Sequence, residues 1–207
     1  MDDHDLFRAG LRTLLEEQGV DIVGEADTGT KALAQIRETA PEVVVMDLNM
    51  PGISGVEATR QIAMIAPLTR VLVLTISDQD ADVMDAILAG ACGYLLKDSS
   101  IQELMTGIRA ASHGESLISP TIAAKVLQRV RATSTQPEMA NTIRAELSDR
   151  EIEVLKLIAN GKDNAMIAGE LHISPKTVKN HISNILMKLQ IDNRIQAAVY
   201  AVRSGIV

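Results

Sequence analysis

The chain has 207 residues, a formal net charge of −7, 46% hydrophobic residues and a single cysteine. That length suits two domains, each able to bury its own core, and one cysteine excludes a disulfide framework and fits a reducing compartment. No apolar run approaches the roughly 20 residues that span a bilayer, and Met1-Asp2-Asp3-His4-Asp5 is the reverse of a basic signal-peptide start, so a soluble, cytoplasmic protein with no membrane contact is expected.

The charge is uneven. Residues 1–120 hold 19 acids against 8 bases, 121–144 hold 1 against 4, and 145–207 hold 7 against 8. An acidic front half repels polyanions, so any nucleic-acid contact is expected from the back half.

From residue 5 onward, helical and strand patterns alternate. An amphipathic helix over 5–18 is followed by a strand over Asp21–Ala26, a helix near 29–38 and the all-apolar strand 43–46. Then come a helix near 54–66, the strand 71–75, a helix near 81–89, the strand 92–96 and a helix near 100–112. Strands this apolar suit a parallel sheet covered on both faces, and the regular alternation implies right-handed crossovers, so an α/β, doubly wound first domain is expected over 1–116. Cys92 lies in the apolar run Ala91–Leu96 and reads as a small buried hydrophobe.

Residues 117–144 read as a linker with a short helical piece near 120–131 and the polar stretch Ala132–Pro137. Helix signals alone resume at 145. Ser148-Asp149-Arg150-Glu151 is a capping box, the stripe Leu147, Ile152, Leu155, Ile158, Ala159 follows, and Asn160-Gly161 stops it. A helix near 163–172, a Ser174-Pro175 start for a helix to about Leu189, and a last helix from Asn193 to about Arg203 complete an all-α domain of four helices.

The stretch Val43–Gly52 carries the chemistry. A buried strand that stops on Asp47 and breaks into a Pro-Gly loop puts that carboxylate at the carboxyl end of a sheet, where open α/β folds collect ligands. Acyl-phosphate chemistry needs a nucleophilic carboxylate, a divalent ion, a cation for the remaining phosphoryl oxygens and a hydroxyl near the product. Asp47 offers the first, Asp2 and Asp3 are candidate Mg²⁺ ligands, Lys97 is the cation and Thr75 the hydroxyl. An isolated Asp after a strand is more often a turn former; the four together are what weigh against that.

Asp2-Asp3-His4, Met46–Gly55, Leu74-Thr75 and Gly93-Tyr94-Leu95-Leu96-Lys97-Asp98 resemble the receiver domain of bacterial response regulators. The resemblance implies a flavodoxin-like sheet in which Asp47 takes a phosphoryl group from a phosphohistidine on a sensor histidine kinase. It also implies Mg²⁺ held by Asp2 or Asp3, Asp47 and the backbone carbonyl of Asn49, with Thr75 and the switch aromatic Tyr94 moving together upon phosphorylation. Receivers place an apolar strand directly before the Asp-Asp pair, in the middle of the sheet; here Met1 immediately precedes Asp2. The first strand is therefore expected to be missing, with Asp2 and Asp3 at a fraying terminus; a start downstream of the natural one is favoured over an impaired domain or another segment filling the gap, because every other receiver element is intact.

In the helix after Pro175, Val178, Ile182, Ile185, Leu186 and Leu189 form a core-facing stripe, while Lys176, Lys179, Asn180, Ser183 and Lys188 lie opposite, beside His181, with no acid from 174 to 190. Basic, amide and hydroxyl groups on one face suit a DNA major groove, although three lysines alone would be an ordinary solvated face. Together with Leu147–Glu151, Ile158–Gly161, Ile167-Ala168 and Ile173–His181, this segment resembles the LuxR-type helix-turn-helix. The resemblance implies that 175–189 is the recognition helix, with Lys179, Asn180 and Ser183 meeting bases and Lys176, Thr177, His181 and Lys188 meeting phosphates. Such modules bind double-stranded DNA as dimers, and the small charge of the tail makes a homodimer the expected source of affinity.

The expectation is thus a two-domain response regulator of the NarL/FixJ type, not an enzyme, in which phosphorylation unmasks the recognition helix or favours a dimer. Two rivals remain at this point. A Mg²⁺-dependent phosphohydrolase needs a second acid for turnover, yet Asn49 stands two residues after Asp47; a phosphorylation-independent DNA-binding protein would use a degenerate receiver for dimerisation.

Overall fold

The computed structural model describes residues 1–77, 79–118, 122, 126 and 147–207. The chain divides into two compact units, Met1–Ile122 and Ala123–Val207.

In the first unit, α1 (Asp5–Glu17) and α2 (Gly29–Thr39) precede β1 (Val43–Met46), α3 (Gly55–Ile65), β2 (Arg70–Thr75), α4 (Asp80–Leu88), β3 (Gly93–Leu96), α5 (Ile101–Ser112) and β4 (Leu117–Ile118). The strands form one parallel sheet in the order β1-β2-β3-β4, with Met46 level with Val73 and Thr75 level with Leu96. Alternate side chains serve opposite faces. Val44, Met46 and Val71 pack with Leu33, Ile36, Ala58 and Ile62 of α2 and α3, while Leu72, Leu74 and Leu95 pack with Leu15 of α1 and Leu104 and Met105 of α5. Each fully buried aliphatic contributes about 1.5–3 kcal/mol, which is why the strands are apolar without alternation.

Parallel strands all finish at the same edge. Asp47 follows β1 directly, Thr75 ends β2 and Lys97 follows β3, so the register brings three distant chain positions to one rim. At that rim Gly55 lets α3 start against the loop after β1: an added Cβ would lie 2.0 Å from the Asp47 carbonyl oxygen and 2.6 Å from Leu48 Cα.

The structure corrects three expectations. Asp21–Ala26 is not a ladder strand: a strand needs a run of bonded partners, and Val20, Ile22 and Gly24 instead line, together with Val43 and Val45, a cavity of about 570 Å³. Second, Asp2 is bonded and buried. The Met1 amine donates to the Val45 carbonyl at 2.9 Å, the Asp47 N–H to the Met1 carbonyl at 3.0 Å and the Asp2 N–H to the Ala26 carbonyl at 3.0 Å. Met1 thus pairs in parallel register with Met46, and Asp2 is 3% exposed. Third, Leu117–Ile118 belongs to the sheet, pairing with Gly93 and Tyr94, where a linker was expected from 117. The helical piece expected near 120–131 falls outside the described residues except for Ile122 and Val126, both buried, and the polar stretch 132–137 falls wholly outside them.

The described part of the second unit is α6 (Asp149–Ala159), α7 (Asn164–Leu171), α8 (Pro175–Leu189) and α9 (Arg194–Arg203). Three start where their sequence signals lie, at Ser148, Ser174 and Asn193, and α7 starts at Asp163; all four side chains accept from the N–H three residues on, satisfying donors that a helix start leaves open. Gly161, at φ +75°, ends the α6 region. Leu155 and Ile158 of α6, Ile167 of α7, Val178, Ile182 and Ile185 of α8 and Ile195 and Val199 of α9 form the buried core.

Candidate functional site

The rim of the first unit gathers charge around one cation. Lys97 Nζ lies 2.7 Å from Asp47 Oδ2 and 2.7 Å from Asp2 Oδ2. Both carboxylates are buried, Asp47 at 2% exposure and Asp2 at 3%. Burial pulls the Lys97 ammonium toward deprotonation, but its bonds to Asp2 and Asp47 outweigh this and leave its pKa raised; it is a fixed positive charge at neutral pH. The ring of Phe7 lies under it, 4.6 Å from Nζ to centroid, close enough for a cation–π attraction. The strand ends hold the cation from behind, since Lys97 N–H donates to the Thr75 carbonyl at 2.9 Å.

Asp47 Oδ1 accepts the Asn49 N–H at 3.3 Å and Asp2 Oδ1 accepts the His4 N–H at 2.9 Å. Asp3 is exposed and its carboxylate lies 3.0 Å from His4 Nδ1. One ligand atom from each of Asp2, Asp3, His4 and Asp47 falls within 4.8 Å of the others. The carboxylates supply hard oxygen donors on one open side, which is the donor chemistry a small divalent cation such as Mg²⁺ takes; the cluster fits that group.

Thr75 is fully buried and its hydroxyl accepts the Ser77 N–H at 3.4 Å. Tyr94 is fully buried, and its hydroxyl donates to the Ser77 carbonyl at 2.9 Å. Thr75 and Tyr94 therefore hold the same loop, the one leaving β2. The structure brings Asp2, Asp47 and Lys97 into direct contact, puts Asp3 and Asn49 on the exposed side, and sets Thr75 and Tyr94 on the adjoining strands.

In the second unit, α8 exposes Lys176, Lys179, Asn180 and Ser183, with Thr177 and His181 half-buried. Thr177 stays at the helix start, its hydroxyl 2.8 Å from that of the cap Ser174. Lys188 is placed differently: its Nζ lies 2.7 Å from Glu151 Oε2, and that carboxylate is buried.

Sequence reasoning missed Phe7, Ser77 and Glu151 as members of these sites. Phe7 is the only phenylalanine of the chain and falls one helical turn past the Asp-Asp pair, a usable signal. Glu151 was legible as a capping residue, but its bond to a lysine 37 positions away was not.

Residues 1–109 match the response regulator receiver domain, and residues 145–201 match the luxR family of bacterial regulatory proteins. Over 209 residues the chain is 44% identical to the transcriptional regulatory protein LiaR of Bacillus subtilis, covering 100% of this chain and 97% of that protein. It resembles the crystal structure of the response regulator ChrA of a heme-sensing two-component system, at 37% identity and a TM-score of 0.53, covering 100% of this chain and 96% of that one. It also resembles RcsB of Salmonella enterica serovar Typhimurium, solved bound to promoter rprA with a phosphomimetic, at 26% identity and a TM-score of 0.54, covering 100% and 96%. A receiver-type rim joined in one chain to a LuxR-type helix-turn-helix places this protein among the LuxR-type response regulators that control transcription.

Proposed function

We propose that Asp47 is the phosphoacceptor and that its phosphorylation controls the binding of double-stranded DNA by α8. The observation that carries this reading is the single ammonium of Lys97 held between two buried carboxylates at the carboxyl end of the sheet. Two carboxylates and one cation leave net negative charge, which a divalent ion and then an incoming phosphoryl group can reorganise.

In the reaction, an Asp47 oxygen attacks the phosphorus of a phosphohistidine on a sensor histidine kinase. The P–O bond forms as the P–N bond breaks, and the imidazole leaves with that electron pair. Lys97, already at Asp47 Oδ2, stays beside the new acyl phosphate and offsets its charge. Thr75 turns its hydroxyl from the Ser77 amide toward the product, and Tyr94, sharing that loop through the Ser77 carbonyl, follows it. Mg²⁺ would be held by Asp2 or Asp3, Asp47 and the Asn49 carbonyl, and when bound it supplies positive charge to the phosphoryl oxygens.

On the DNA side, Lys179, Asn180 and Ser183 meet base edges and Lys176, Thr177 and His181 meet phosphates. RcsB has been solved on promoter DNA, and we extend that mode of use to this chain, as a homodimer whose half-sites lie about one helical turn apart. Among the described residues no helix is long and apolar enough to cross a membrane, which suits a cytoplasmic protein working on DNA.

The test is intact-mass measurement after incubation with Mg²⁺ and a small acyl-phosphate donor. The chain is expected to gain one phosphoryl group and Asp47→Asn none. Equal labelling of both would move the acceptor elsewhere, and turnover of a phosphate ester beyond one equivalent would make the protein a hydrolase.

A further inference from the structure

Two consecutive residues in the first turn of α6 reach the far ends of two other helices. Arg150 donates through Nη2 to the carbonyl of Leu171, the last residue of α7. A helix leaves its final carbonyls without intrahelical donors, so this bond both satisfies one and ties down the end of α7. Glu151 turns the other way. It is 3% exposed, and its Oε2 accepts from Ser148 N–H at 2.7 Å, Ser148 Oγ at 2.9 Å and Lys188 Nζ at 2.7 Å. Lys188 is the next-to-last residue of α8. One turn of α6 thus holds the C-terminal ends of both helices of the helix-turn-helix.

The apolar contacts of α8, through Val178, Ile182 and Ile185, keep it on the core but are non-directional. A charge-assisted bond to a buried acceptor has a fixed length and direction, and it fixes the rotation of α8 about its axis. Helix geometry points the same way. At 3.6 residues per turn, Lys188 lies about 180° around the axis from Lys179 and about 140° from Ser183, so a pose that presents those two to base edges turns Lys188 toward α6.

We propose that Glu151 is a positioning residue of the DNA-binding unit and that Lys188 is its anchor on α8, with Arg150 as the second arm, rather than Lys188 being a phosphate contact. This rests on the reading of α8 as the recognition helix. Glu151 sets which side chains of α8 face the bases, so losing the pair costs sequence discrimination before it costs general affinity for DNA.

The experiment uses the full chain. A duplex is selected by the wild type from a random-sequence pool, and its Kd is measured against that of a scrambled duplex over a KCl series for wild type, Glu151→Gln, Lys188→Met, Lys188→Arg and Lys179→Met. Glutamine keeps an acceptor for the Ser148 cap, and methionine keeps the apolar stem. Glu151→Gln and Lys188→Met are each expected to lower the selected-to-scrambled ratio about tenfold, with an unchanged slope of log Kd against log salt. The double variant should be no worse than either single, and Lys188→Arg should retain the ratio. A Lys188→Met slope smaller by about 0.9, with uniform weakening on both duplexes, is the signature of one lost phosphate contact and overturns the proposal. So does a selected-to-scrambled ratio that Glu151→Gln leaves at wild type. Failure of the underlying reading looks different: no duplex is enriched, or Lys179→Met is without effect, and the clamp falls with it. Thermal melts of each variant, followed by circular dichroism, identify any that lose binding by unfolding; for such a variant Lys188→Arg against Lys188→Met decides.

Discussion

The two units solve the problem of a working polar surface in opposite ways. In the first, the candidate reactive groups are largely buried at the carboxyl rim of the sheet, so Asp2, Asp47 and Lys97 are held by one another across 50 residues and more of chain. In the second, the candidate DNA-contacting groups lie along one helix and are mostly exposed, and the buried polar groups among the described residues belong to its scaffold, at Glu151, Asn193, Gln196 and Ser204. The difference follows from what each unit must meet. A phosphoryl group must be received where water is limited and charges do not rearrange freely, whereas a DNA groove receives an entire helix from solvent. The receiver is therefore expected to be sensitive to single charges, and the helical unit to the directions in which its helices are held.

The largest effect should come from Lys97→Met. It leaves two buried carboxylates facing each other without their cation, and breaking a buried pair in this way costs about 3–5 kcal/mol. Hydrogen exchange read peptide by peptide should show the loss confined to residues 1–118. Loss spread equally over 147–207 would break the contrast between the units.

Gly55→Ala is expected to come next. The new methyl has no room against the Asp47 carbonyl, and overpacking of this kind costs about 2 kcal/mol. Because the displaced backbone carries Asp47, the rate of acyl-phosphate labelling should fall together with stability in urea. A destabilised protein that labels at the wild-type rate would show that the loop after β1 and the carboxylate are not coupled.

The smallest effect is expected from acid, and it sharpens the other half of the comparison. Burial raises the Glu151 pKa, but Lys188 and the Ser148 N–H and hydroxyl more than offset this and hold it below the ordinary 4.5. A depressed carboxyl contributes stability that is complete above its unfolded value and is lost as pH falls through the folded one. The second unit, followed by methyl resonances of Ile185 in the full chain, should therefore melt at a lower temperature on acidification below about pH 4.5. Glu151→Gln should remove that component of the dependence, and an unchanged acid profile in the variant would assign it to other carboxyls.

Much of this protein was legible in the chain because the relevant signals are local. The caps Ser148, Ser174 and Asn193 mark helix starts through bonds to N–H groups three residues away, and the apolar runs at 43–46, 71–75 and 92–96 suit covered strands. Asp47, Thr75 and Lys97 were found because each closes such a run. Two readings failed where pairing was needed. Asp21–Ala26 has strand composition but forms no ladder, its Ala26 carbonyl accepting from Asp2 N–H, and Leu117–Ile118 has too few residues to show a period yet finds an open edge beside β3.

By itself, then, the sequence determined the order of the described helices and of β1 to β3, the division of charge between the halves and the residue types offered at each strand end, all of which are local properties of the chain. Only the tertiary structure decided that Asp2 is buried beside Asp47 through the pairing of Met1 with Met46, that Phe7 lies under Lys97, and that Lys188 belongs to Glu151. Those outcomes depend on which distant segments meet, and the strength of a charge depends on its burial and its partner, neither of which a local pattern carries.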